Sequence, residues 1–140
     1  MNMARAYQVY QSNQINTVSQ EKLVTMLYDG ALKFILQGIS GIEENDFNKK
    51  NTNFIKAQKI IAELMGNLNR DVGEIADNLF SLYEFMYRKL VEANINKDVK
   101  LAREVYNLLS DLRNTWVEAT KKVQSHNYTT DQHLLNLKAE

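Results

Sequence analysis

The chain has 140 residues, with 17 Lys plus Arg against 17 Asp plus Glu and a formal net charge of zero, so it lacks the basic excess of a nucleic-acid binder. It has no Cys, which excludes disulfides, thiolate metal sites and Cys-based catalysis, and two His, which leave few ways to hold zinc or move protons near neutral pH. With no Pro and 5 Gly it lacks the turn residues of a β-rich fold, which favours long helices with few connections.

Residues 1–18 hold one Arg and no acid, with sparse apolar groups at Tyr7, Val9, Tyr10, Ile15 and Val18. They read either as a mobile arm with anchor side chains or as a terminus with no role. They lack the apolar stretch of a signal peptide, and no run in the chain approaches the roughly 20 apolar residues that span a bilayer. A cytosolic protein without membrane insertion is expected.

Ser19 is a plausible N-cap for a first helix over about 20–44. Leu23, Leu27, Ala31, Phe34 and Gly38 keep its i, i+3, i+4 rhythm. Glu43 to Asp46 form a polar break, and Asp46 caps a second helix over about 47–69. Its seam is Phe54, Ala57, Ile61, Leu64 and Leu68. Asp71 and Glu74 form an acidic variant of the capping box. The third helix follows over about 72–95, with Ile75, Leu79, Leu82, Met86, Leu90 and Ala93 inward. Asp98 caps the fourth, over about 99–124, with Leu101, Val105, Leu108, Leu112, Thr115/Trp116, Ala119 and Val123 on its seam. Residues 125–140 are a short C-terminal tail, either frayed or a docking helix. Short connections make neighbours antiparallel, so the prediction is all-α: an up-down four-helix bundle over 19–124, with an arm at 1–18 and a tail at 125–140.

Two stretches carry more apolar side chains than a core needs. Nine of thirteen residues from Leu79 to Val91 are apolar or aromatic, and ten of fourteen from Leu23 to Leu36. One core-facing stripe accounts for only about six of either. The surplus is covered either by neighbouring helices or by a partner segment in a surface groove. Phe80, Tyr83 and Tyr87 fall on an adjoining stripe of the third helix, and Tyr106 on the fourth. Tyrosine suits such a surface because it joins apolar area to a polar tip.

Chemistry-bearing motifs are absent from the sequence: there is no G-x-G-x-x-G, no P-loop pattern, and no Glu-x-x-His pair of the kind a di-iron bundle uses. His126 and His133 lie in the polar tail. Lys49, Lys50, Lys56 and Lys59 read as a solvated face interleaved with Asn. Trp116 reads as a core or core-edge residue. Gly30, Gly38 and Gly41 sit inside a predicted helix at about 1 kcal/mol each against Ala, and either admit a close neighbour or are tolerated. No catalysis and no cofactor or metal are expected.

The ordered motifs resemble the flagellar export chaperone family, the chaperones of flagellin. They begin with Thr17-Val-Ser-Gln-Glu-Lys-Leu23 and Met26-Leu-Tyr-Asp-Gly-Ala31, preceded by Tyr10, Gln11 and Ile15 in the arm. Lys56-Ala-Gln-Lys-Ile-Ile61 with Glu63-Leu64, and Gly73-Glu-Ile-Ala76 with Leu79, come next. Leu82-Tyr83, Met86, Arg88, Leu90, Ala93-Asn94, Asp98, Glu104-Val105, Leu108-Leu109 and Trp116 complete the set. The family usually places Pro where this chain has Gln20. Pro at that point fixes φ without being chemically required.

The resemblance implies a cytosolic binding protein built as an antiparallel helical bundle. It implies two partners: the C-terminal segment of flagellin, held against premature polymerisation, and the flagellar type III export gate. The rival reading is a regulatory or scaffolding module that sequesters another protein through the same face. In the chaperone reading the arm is a latch over the groove while the protein is empty, which limits weak self-association. Its Tyr7, Tyr10 and Ile15 are the anchors, and the resemblance suggests an export-gate role for the aromatic at Tyr10.

Overall fold

The computed structural model describes the backbone of residues 19–139 and the side chains of residues 19–123. Four α-helices account for most of it: α1 (Gln20–Glu43), α2 (Phe47–Gly66), α3 (Glu74–Asn96) and α4 (Val99–Ala139), with a three-residue 3-10 turn, Arg70–Val72, before α3. No strand occurs among the described residues. α1 packs on α2, α2 on α3, α3 on α4, and α4 back on α1, which closes the bundle. No helix among the described residues is long and apolar enough to cross a membrane.

Three expected caps form. Ser19 Oγ accepts from Lys22 N at 3.2 Å, Asp46 Oδ1 from Lys49 N at 3.1 Å, and Asp98 Oδ1 from Leu101 N at 3.0 Å. The acidic box does not form. Asp71 belongs to the 3-10 turn, where its N–H donates to Asn69 Oδ1 at 3.1 Å, and α3 starts instead from Gly73, at φ 109° and without a side-chain cap. The fourth helix does not end near 124. No Gly or Pro interrupts Val99 to Ala139, so nothing local stops it, and its 41 residues reach about 60 Å.

The core is continuous through all four helices. α1 contributes Leu27, Ala31, Ile35 and Ile39, and α2 contributes Phe54, Ala57, Ile60, Ile61 and Leu64. α3 and α4 add Met86, Leu90 and Ala93, then Ala102, Val105 and Leu109. The fourth seam therefore centres on Ala102 and Leu109, with Leu101, Leu108, Leu112 and Trp116 as partly buried flanks. Three seam positions are outside the core: Ile75, Ala119 and Val123 are exposed, and of the Thr115/Trp116 pair only Trp116 packs inward. For Ile75 and Val123 the cause is overhang. Trp116 Nε1 donates to Glu21 O at 3.0 Å, so α4 residues well past 116 lie beyond the start of α1, and Ile75 is in the first turn of α3.

α1 and α2 meet closely, and glycine permits it. A Cβ on Gly41 would stand 2.5 Å from Lys50 N and 2.8 Å from Lys50 Cα, and one on Gly38 would strike the Phe54 ring at 2.8 Å. Gly30 is less constrained, with only the tip of Ile60 at 3.3 Å. The approach at Gly41 also moves Lys50 inward. Lys50 is buried, not solvated, and its Nζ donates to Asn94 O at 2.7 Å in the last turn of α3. A cation there adds a shorter bond to a carbonyl at the helix end that accepts from Lys97 N at only 3.4 Å. Lys56 and Lys59 are exposed as expected.

Across the core, the hydroxyls of Tyr28 and Tyr83 hydrogen-bond to each other, with ring centroids 6.4 Å apart. Burial pushes both phenols above their ordinary pKa of 10.0. The folded chain thus keeps these protons to higher pH than the unfolded chain does. Their contribution is fully present below pH 10 and is lost as pH rises above it.

Gly41→Ala is expected to lower unfolding stability by about 1–3 kcal/mol in chemical denaturation, through backbone overpacking. Gly66→Ala serves as the control, since nothing lies within 4 Å of its Cβ position, and is expected to be neutral or slightly stabilising. Tyr83→Phe alone should cost about 1–3 kcal/mol by orphaning the Tyr28 hydroxyl, and adding Tyr28→Phe should recover part of that loss. The double variant should also lose less stability than the wild type between pH 9 and 11, as read by thermal melts at each pH.

Candidate functional site

α3 is where apolar side chains outrun the bundle. Its inward stripe is Ala76, Tyr83, Met86, Leu90 and Ala93, all buried. Ile75, at the helix start, is 82% exposed; outside the stripe Phe85 is 41% exposed and Tyr87 37%, while Phe80 is half-buried. At about 100° per residue, Phe80 and Tyr87 lie to one side of the buried stripe and Leu82 and Phe85 to the other. The exposed apolar groups therefore flank α3 on both sides. Lys89 Nζ stands 5.7 Å from the Phe85 ring centroid, and Arg70 Cζ lies 4.3 Å from that of Phe80. Cations over aromatic faces at these distances leave the rings partly accessible at their edges.

The expected partner-binding residues separate. Tyr83 is not on a surface stripe: it is 2% exposed and hydrogen-bonded to Tyr28, because its position faces the core one turn before Met86 and Tyr87. Tyr106 is partly buried against the core. Phe80 and Tyr87 share the surface flank of α3, as their spacing requires. Tyr7, Tyr10 and Ile15 lie outside the described residues, as do the side chains of His126 and His133. Phe85 belongs to the apolar surplus, and two residues from the buried Tyr83 it falls on another face of the helix, where it is exposed. Ile75, expected inward, is exposed because it sits in the first turn of α3.

Other apolar groups are exposed away from α3. Met26 and Leu36 stand out on α1, Phe47 and Ile55 on α2, and Val72 in the 3-10 turn. Phe47 carries two ammonium groups, Lys97 Nζ at 4.0 Å and Lys50 Nζ at 5.7 Å from its ring centroid. A shallow hollow of about 430 Å³ on α4 is lined by Asn114, Thr115, Glu118, Ala119 and Lys122. Its two opposite charges and mainly uncharged walls make a contact surface, with no nucleophile–base pair among the lining residues. No group of three or more His, Asp or Glu among the described residues is placed to hold a metal ion.

Glu63 is half-buried and its Oε2 has no hydrogen-bond partner, so burial raises its carboxyl above the usual range. A single carboxyl of this kind does not by itself make an acid–base pair. What the described surface offers chemically is binding area: aromatic and aliphatic side chains held at fixed positions on rigid helices.

The family model described as flagellar protein FliS matches residues 3–123. Two relatives match this chain over most of their length. The flagellar secretion chaperone FliS of Bacillus subtilis is 42% identical over 119 residues, covering 85% of this chain and 89% of that protein. The corresponding chaperone of Salmonella typhimurium is 34% identical over 121 residues, covering 84% of this chain and 90% of that protein. A solved crystal structure of a bacterial flagellar chaperone superposes with a TM-score of 0.69 at 21% identity, over 86% of this chain and 99% of the other, and supports the helical-bundle fold. On the family match and the two full-length relatives, this chain belongs to the FliS family of flagellar proteins.

Proposed function

We propose that this chain is a cytosolic export chaperone. It holds the C-terminal segment of newly made flagellin, prevents its premature polymerisation and delivers it to the flagellar type III export gate. Family membership supports the chaperone class, since the relatives are flagellar secretion chaperones. The observation that carries the binding part is the exposed apolar surface on both flanks of α3, Phe85 on one and Tyr87 on the other, with Ile75 exposed at the helix start. An amphipathic segment that is disordered when free folds onto such a surface as it binds, and the ordering cost offsets part of the contact energy. Phe80 and Tyr87 are the proposed contacts on one flank, Phe85 on the other, and Tyr106 contributes from the edge of α4. In this reading residues 1–18, through Tyr7, Tyr10 and Ile15, cover the surface while the chaperone is empty. They become available to the gate when cargo displaces them.

Calorimetry with a synthetic peptide of the C-terminal segment of the cognate flagellin tests the reading. One-to-one binding is expected, with a negative heat-capacity change and little salt dependence, because burial at roughly 25 cal/mol per Å² before ordering costs supplies the gain. Phe85→Ala and Tyr87→Ala should each weaken binding by about fivefold or more while circular dichroism shows an intact bundle. Absence of binding, or binding abolished by moderate salt, contradicts the proposal.

A further inference from the structure

One of the proposed contact residues is already covered. The Arg70 guanidinium lies over the Phe80 ring, with Cζ 4.3 Å from the centroid. Its Nε–H also donates to Asp77 Oδ1 at 3.2 Å. One cation is thus held by two groups of α3 and stands across a half-buried aromatic from outside. Both side chains of the ion pair are 55% exposed, so the pair is solvated and easily exchanged. Arg70 belongs to a 3-10 turn with no buried residue, and the turn joins α3 through Gly73, whose Cβ position has open space around it. The guanidinium can therefore leave Phe80 without disturbing the core.

We propose that Arg70 is a displaceable cover on Phe80, and that cargo docking on this flank of α3 lifts it from the ring. The inference rests on the reading that α3 receives the flagellin segment, and it adds a residue that sets the affinity. If Arg70 were only a brace for the first turn of α3, removing it would loosen the surface and weaken binding. If it is a cover, removing it frees the ring and strengthens binding. The two roles differ in sign.

The test is calorimetry of the full chain with the synthetic flagellin C-terminal peptide, in the wild type and in exposed-residue variants. Arg70→Ala should bind about two- to tenfold more tightly, the range expected when one exposed cation–π contact and one exposed ion pair no longer compete. Asp77→Asn, which loosens Arg70 without removing it, should shift affinity in the same direction by less. In a Phe80→Leu background Arg70→Ala should gain clearly less affinity than in the wild type, a coupling that a mere brace would not show. Equal or weaker binding by Arg70→Ala overturns the cover and leaves the flagellin reading standing. Failure of the wild type itself to bind the peptide overturns both.

Discussion

α3 carries more apolar surface than the bundle can cover, and the functional reading depends on that mismatch. In a closed ring of four helices each member has two adjacent neighbours. α3 meets this with one buried stripe through Tyr83, Met86 and Leu90. Ile75, Phe85 and Tyr87 fall outside it. Burying such a side chain is worth about 1.5–3 kcal/mol, so a chain shaped only by its own stability gains from polar residues at these points. Retained apolar groups on both flanks of one helix are instead what a partner segment needs.

The remainder of the structure keeps that helix in place. The hydroxyl bond between Tyr28 and Tyr83 ties α3 to α1 across the core and fixes its rotation. With Tyr83 inward, Phe85 is carried about 200° round the helix and Tyr87 about 40°, which places them on opposite flanks. At the far end, Gly41 lets the start of α2 reach the end of α1, and this sets Lys50 against the last turn of α3 at Asn94 O. On the other side of the ring, Trp116 and Arg113 of α4 hold Glu21 O and Asp29 of α1. A binding surface on a helix so fixed is formed before its partner arrives, which lowers the ordering cost on the chaperone's side of the complex.

Most of the architecture was legible in the sequence, because helical periodicity and capping are local. The seams of α1 and α2 follow from apolar spacing, and Ser19, Asp46 and Asp98 mark helix starts by their own chemistry. The failures inside the bundle are non-local. Tyr83 read as a surface residue because tyrosine is amphipathic, and the hydroxyl that accepts it into the core is 55 residues away. Lys50 read as solvated because its burial depends on Gly41 of the preceding helix. Ile75 and Val123 fit the seam rhythm, yet the rhythm does not record where the neighbouring helices begin. The continuation of α4 past 124 was available, since no Gly or Pro interrupts it. On the site, the apolar surplus pointed to α1 and α3 alike, and a count does not say which members are inward. Tyr83 therefore changed sides and Phe85 took its place among the exposed groups.

The central claim is that the exposed flanks of α3, and not its buried stripe, receive the flagellin segment. Side-chain NMR of the full chain during titration with the flagellin C-terminal peptide tests it most directly. The account predicts large shifts of the Ile75 methyl and the Phe85 and Tyr87 rings, with the Phe54 ring and the Tyr28 and Tyr83 pair unchanged. Saturable binding that leaves Ile75, Phe85 and Tyr87 unshifted, with the changes on α1 or α2 instead, would contradict it.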